Sequence, residues 1–233
     1  MLISRFLRSP YEIKAKLNTT PTETVSKSNQ PTFDIFVKSA EDLTARENAE
    51  LRALIDANTL SYSDYQKNCN PKLDAKFANK GFLIVPDNEY PKVSNLWFED
   101  NFIYRHIVLL KNSGRVVAFL KGVYINQLEE FYDPELQLVK QEHNKANSSN
   151  TFVVSMVVTD EKFRQRGLLK KMLQKIGSEL KIEFVVFHIV DGNEASKQAF
   201  AKSGAKFLEN KTYDLTDLQL CLKIFCIDLR NLK

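Results

Sequence analysis

The stretch VVSMVVTDEKFRQRGLLKKML, Val153–Leu173, passes from an apolar run, through a knot of cations around one glycine, into an apolar pattern of helical spacing. The run, which begins at Thr151, reads as a buried strand. After the glycine, Leu168, Leu169, Met172, Leu173, Ile176 and Leu180 recur every three or four positions, while Lys170, Lys171 and Lys175 fall outside that stripe, as in an amphipathic helix. A strand that ends just before the exposed N–H groups of a helix start makes an anion site from partial charges alone. Arg164 and Arg166 add two full charges that can fork onto phosphate oxygens or carboxylates, and Gly167 admits a positive φ or a ligand close to the backbone. A diphosphate is the expected guest.

The flanking sequence extends this unit. KIEFVVFHIV reads as a second buried strand, NEASKQAFAKSGA as a short helix closed by Gly204, and LQLCLKIFCIDL as a closing strand. Upstream, YRHIVLLKNSGRVVAFLKGVYI reads as a hairpin turning at Asn112 and Gly114. FDIFVKS reads as a half-buried strand, followed by a helix with Ser39 as cap, Asp42 in the first turn and Leu43, Leu51 and Leu54 as its stripe. SYSDYQKNC continues as a second short helix. The alternation of strands and helices predicts an α/β fold with a mixed sheet. Residues 1–32 are polar and punctuated by proline, which predicts a loosely held extension to a single domain over 33–233. Insertions are expected near 71–101, with Pro86 and Pro91, and near 126–150, a long polar connection.

A chain of 233 residues with 43% hydrophobic residues can bury a sizeable core. Its net charge of +4, from 33 basic and 29 acidic residues, is too small to demand a nucleic acid or a membrane as partner. Cys69, Cys221 and Cys226 are odd in number and lack zinc-site spacing, so they suit a reducing interior, and no metal is expected. Arg5 and Arg8 interrupt the first apolar residues too early for a signal peptide, and no run is long enough to span a bilayer, which predicts a cytoplasmic protein, non-classical export aside.

The glycines of the phosphate loop and of the dinucleotide fingerprint are missing. FRQRGLL instead resembles the Arg/Gln-x-x-Gly-x-Gly/Ala signature of the GNAT N-acetyltransferases, with Arg164 and Gly167 in the first two places. NEASKQAFAKSGAKF is similar to that family's later Asn-containing segment, matching at Asn193, Lys202, Ser203 and Gly204, with Ser196 at the usual small position. The resemblance covers residues 151–207. It implies the acyl-CoA N-acyltransferase fold, a twisted mixed sheet flanked by helices, with acetyl-CoA or coenzyme A as co-substrate. Carried onto this sequence, it implies that the backbone at Val157 and Val158 pairs with the pantetheine arm. The N–H groups of Gln165, Arg166, Gly167, Leu168 and Leu169 would hold the diphosphate. Asn193 would touch the pantetheine, and Ser196 or Lys197 the phosphate side.

Two positions depart from the pattern. Leu169 stands where the family has glycine or alanine, leaving less room for the diphosphate, and Phe200 stands where it has the tyrosine near the thiol. Phenylalanine cannot protonate a departing thiolate. Tyr213 would replace that tyrosine if its loop folds back over the thiol; a surface turn is the plainer reading. Glu129, Glu130, Asp133 and Glu135 form an acidic stretch that would attract a cationic amine, with Glu130 as a candidate base, or that is simply solvated. His188 closes the strand FVVF near the expected acyl group, as a proton acceptor or a satisfied core histidine. Ser155 either hydrogen-bonds the acyl carbonyl or fills a small space. Cys221 and Cys226, at odd spacing, point to opposite faces of their strand.

The function expected is acetyl transfer from acetyl-CoA to a primary amine by direct attack, the acceptor being a small molecule, a protein lysine or an N-terminus. The enzyme would be a monomer or homodimer. The alternative is a worn GNAT scaffold serving as an acyl-CoA sensor or interaction domain, for which Leu169 and Phe200 argue. A nucleic-acid binder using the same basic loop is disfavoured, because aromatics are not interleaved with its cations.

Overall fold

The computed structural model describes residues 31–61, 63, 83–85, 105–127, 129–215 and 218–232. The chain divides into two compact units, Met1–Pro31 and Thr32–Lys233, and every described element belongs to the second. The expectations for 1–32, and most of those for 62–101, lie outside the described residues.

The strands are β1 (Asp34–Ser39), β2 (Thr59–Ser61), β3 (Leu83–Val85), β4 (His106–Asn112), β5 (Arg115–Tyr124), β6 (Thr151–Thr159), β7 (Phe184–Val190), β8 (Lys206–Leu215) and β9 (Leu218–Asp228). The helices are α1 (Ala45–Asp56), α2 (Glu129–Glu142), α3 (Leu168–Leu180) and α4 (Glu194–Lys202). Seven strands form one sheet in the order β1-β4-β5-β6-β7-β9-β8, and β2 and β3 pair as a separate parallel ribbon. Among the described strands of the large sheet, only β6 and β7 are parallel neighbours, joined through α3 as a crossover of this length requires.

Apolar side chains on alternate strand positions fill both faces of the sheet. On one face, Val154, Val185 and Phe187 pack against Leu168, Met172, Leu173 and Ile176 of α3 and Phe200 of α4. On the other, Leu109, Phe119 and Met156 meet Leu51, Leu54 and Ile55 of α1, and Phe184 and Val186 meet Val139 of α2. The hairpin forms as expected, with its two central residues, Ser113 and Gly114, at φ 51° and 75°. Such a turn matches the twist of the flanking strands.

Five readings of the sequence are corrected. The cap of α1 is Thr44 in place of Ser39, because Ser39 still pairs with His106 and the chain first makes a turn of 3-10 helix at Ala40–Asp42. Thr59–Ser61, at the junction of the two expected helices, is a strand paired with β3, and Leu83–Val85 is a strand within the stretch expected to be irregular. The connection at 126–150 contains a helix of 14 residues, α2, with Pro134 in it. Residues 206–215 form a strand, β8, where none was expected. None of the described helices is long and apolar enough to cross a membrane.

Candidate functional site

The central feature is a gap in the sheet. β6 and β7 pair only from Thr151↔Phe184 to Val154↔Phe187, although β6 runs on to Thr159 and β7 to Val190. At the same level the β5–β6 ladder slips: Lys121 opposes Met156 and Gly122 opposes Val154, so Ser155 is an extra, bulged residue. A bulge bends its strand and re-aims it, here at the point where β6 leaves β7. Gly122 is required at this bulge, since a Cβ there would lie 2.2 Å from the Phe152 ring and 2.4 Å from the Val153 carbonyl oxygen. Ser155 Oγ donates to the Lys121 carbonyl at 3.2 Å.

Beyond the bulge, the Asp160 amide donates to the Val117 carbonyl, which sets the alternation of the β5–β6 ladder. Residues 158 and 160 turn their backbone groups to β5, and Val157 and Thr159 turn theirs into the gap. The backbone N–H and carbonyl of Val157 therefore face the gap, whereas those of Val158 face Phe119 of β5. The alternation that separates the two is visible only once the bulge is known.

At the open end of the gap stands the basic loop. Gly167 caps α3 with φ +69°, and a Cβ there would meet nothing within 4 Å, so the loop surface is open above it. Gln165 also has a positive φ, 61°. The two left-handed residues turn the chain so that the first-turn N–H groups of α3, which have no carbonyl one turn back to bond, face outwards. Leu169 is half-buried and packs against the core cluster under α3. Arg166 is exposed and lies 5.7 Å over the Phe163 ring. Arg164 is half-buried, its guanidinium donating to Asn58 Oδ1 and, at 3.4 Å, to the Thr159 carbonyl. It thereby ties the loop to the end of α1 and lines a cavity of about 690 Å³ with Arg46, Ala53, Asn58, Arg115 and Asp160.

On the α4 side, Asn193 is buried and its side-chain oxygen caps the helix by accepting from the Ser196 amide. Lys197 bridges Asp191 and Glu194 at 2.8 and 2.7 Å. Lys197 and Lys223 together hold the Asp191 carboxyl down to about 2. Phe200 is 7% exposed and stacks on Phe187, the last residue of β7 that pairs with β6, at 3.7 Å between ring centroids. It thus ends at the apex of the gap on the α3 face.

On the opposite face His188, the first residue of β7 past the apex, approaches Glu135 of α2, with Nε2 3.5 Å from Oε1. Lys211 Nζ of β8 donates to the same oxygen at 2.7 Å. Burial pushes the Glu135 carboxyl up, but His188 and Lys211 outweigh it and hold it down to about 2. Lys211 carried no signal in the sequence, and Glu135 was one acid among four. The side chains of Glu130 and Tyr213 lie outside the described residues. Cys226 is buried and its thiol is pushed up to about 12 by burial and Asp228, which suits a core residue; Cys221 faces solvent. Among the described residues no cluster of three or more His, Cys, Asp or Glu gathers to hold a metal.

No known family model and no curated protein sequence matches the chain. Solved structures do. A proposed acetyltransferase of Acinetobacter baylyi ADP1 superposes with a TM-score of 0.51 at 14% identity, over 86% of this chain and 94% of that one. An N-acetyltransferase of Staphylococcus aureus Mu50 gives 0.47 at 19% identity, over 85% and 99%. The ribosomal-protein-S18-alanine N-acetyltransferase of Escherichia coli gives 0.45 at 10%, over 84% and 94%. With its seven-stranded mixed sheet, parted strands β6 and β7 and glycine-capped crossover helix, the chain has the fold of the GNAT N-acetyltransferases.

Proposed function

We propose that the protein is an N-acetyltransferase that binds acetyl-CoA in the gap between β6 and β7 and passes the acetyl group to a primary amine. The observation that carries this reading is the coincidence of three features at one end of one strand: the parted ladder, the backbone of Val157 turned into the opening, and the Gly167 loop beyond it. The diphosphate would lie on the N–H groups of Gln165 to Leu169, with Arg166 beside it; the inward packing of Leu169 leaves the loop surface clear. Arg164 would act by fixing the loop against Asn58, its side chain being engaged there. Asn193 and Ser196 would shape the α4 wall, through the cap that they form together.

In the reaction the amine nitrogen attacks the thioester carbonyl carbon, the C–N bond forms, the C–S bond breaks and the electron pair leaves with sulfur. Val157 and Thr159 would orient the chain of the substrate, and orientation removes much of the entropic barrier to attack by an amine. Calorimetric titration with acetyl-CoA and with coenzyme A tests the reading. Micromolar binding is expected in the native protein and in Ser178→Ala, a surface control, and its loss in Gly167→Glu and Arg166→Glu. Two variants at separate positions guard against a folding defect at the left-handed glycine. Absence of heat from the folded native protein would sink the proposal.

A second reading, a domain that binds acyl-CoA without turnover, is favoured by Phe200, whose ring is occupied by Phe187 and offers no proton to a leaving thiolate. Release of free thiol in the presence of amines separates the two.

A further inference from the structure

Helix α2 brings a buried carboxylate to the side of the gap away from the Gly167 loop. Strand alternation places the His188 side chain on the face of Phe184 and Val186, which α2 covers, while Phe187 faces α3 and α4. His188 is also the first β7 residue that β6 no longer pairs, opposite the bulged Ser155. Glu135, beside it, is fully buried, whereas the His188 side chain keeps 15% of its surface accessible. Glu135 Oε2 is buried without a hydrogen-bond partner among the described residues, and His188 Nε2, also buried, meets Oε1 at 3.5 Å, at the outer limit of hydrogen-bond length. Keeping a carboxylate in such a place costs several kcal/mol of desolvation unless cations answer it. Lys211 answers it, and the imidazole lies against the same oxygen. Among the described residues, the other ionisable groups buried on this face of the sheet are Lys121 of β5, Cys226 of β9 and Glu47, which α1 holds against Lys38 and Lys111; the Glu142–Lys206 and His143–Asp228 pairs lie at other positions along α2 and its C-terminal end.

We propose that His188 is the catalytic base for the attacking amine, approaching from the α2 face, and that Glu135 is its positioning residue; the proposal rests on the acyl-transfer reading above. Where the Glu135 carboxylate closes on Nε2, the hydrogen is held on that nitrogen and the lone pair is left on Nδ1. As the amine nitrogen bonds to the carbonyl carbon and the C–S pair leaves with sulfur, the surplus N–H proton passes to His188, directly or through one water. The ring then gives that proton to the thiolate sulfur or to water and is neutral again. Lys211 offsets the charge of Glu135 and so keeps α2 docked while the imidazole is neutral. The acceptor and the diphosphate would thus enter from opposite faces of the sheet, which separates the amine from the cations of the loop.

The test follows free-thiol release from acetyl-CoA with three amine probes: spermidine, a lysine-containing peptide blocked at its N-terminus, and a peptide with a free alanyl N-terminus. His188→Gln is expected to lower kcat by about 10²–10⁴-fold, the span of general-base catalysis, with acetyl-CoA affinity and melting temperature retained. His188→Ala should regain rate when imidazole is added. Glu135→Gln should lower kcat by less and move the acid limb of the pH–rate profile, which a purely structural role would leave in place. Native kcat and pH profile in His188→Gln would overturn the proposal while leaving the acyl-transfer reading standing. Acetyl-CoA binding without thiol release from any probe would overturn it in favour of the binding-only reading. A native protein that neither binds acetyl-CoA nor releases thiol would end both.

Discussion

Phe200 shows how one side chain can have a structural and a chemical consequence at once. Its ring lies on Phe187, which is in turn parallel to Phe225 at 5.6 Å between centroids, so β7, β9 and α4 meet in one aromatic stack. Replacing it with alanine removes that stack from a closed core, and Phe200→Ala is expected to cost about 3–5 kcal/mol in chemical denaturation, the usual range for a core phenylalanine. A loss below about 1 kcal/mol would mean that the α4 wall is loosely packed. The sequence identified the position and its missing hydroxyl; that the ring would be spent on Phe187 depends on a residue of another element, 13 positions away. Ser155 was equally legible as a small polar residue in a strand, but its two possible roles are distinguished only by the bulge that gives its hydroxyl to the Lys121 carbonyl.

Single elements follow local rules that the sequence states openly. α1 begins with a complete capping box, in which Thr44 Oγ1 accepts from the Glu47 amide at 3.2 Å and Glu47 Oε2 accepts from the Thr44 amide at 2.8 Å. Thr44→Ala is therefore expected to destabilise the protein by about 1 kcal/mol, read as a lowered thermal midpoint, while Ser39→Ala leaves it unchanged. α3 was legible because its stripe is regular and its lysines fall outside it. α2 was not, because its buried positions include Glu135 beside Leu136 and Val139, and a charge inside the stripe, with Pro134 preceding it, breaks the apolar period. β8 escaped for a different reason: an edge strand pairs on one side only, and most of its described side chains face solvent, so KFLENKTYDL carries no sustained alternation.

At the scale of the whole molecule, two buried carboxylates from distant parts of the chain set the response to acid. Burial pushes Glu47 up, yet Lys111, Lys38 and Thr44 outweigh it and hold it down to about 2, as His188 and Lys211 do for Glu135. Both folded values lie below the unfolded value of 4.5. The stability they contribute is therefore full above about pH 4.5 and is lost as the pH falls towards about 2. Urea midpoints should hold steady from neutral pH down to that point and then fall, less steeply in Glu47→Gln, which starts from a lower plateau; parallel curves for the two proteins would refute the assignment. By itself, the sequence determined the strands and helices with regular apolar periods, the left-handed glycine before α3 and the cations around it, because those depend on residues near one another in the chain. Only the tertiary structure decided that β6 and β7 part after Val154, that Val157 and not Val158 faces the opening, and that Glu135, His188 and Lys211 meet there. Each of these is set by pairing between segments 25 or more residues apart, where register, bulges and burial are properties of neighbours that the local sequence does not contain.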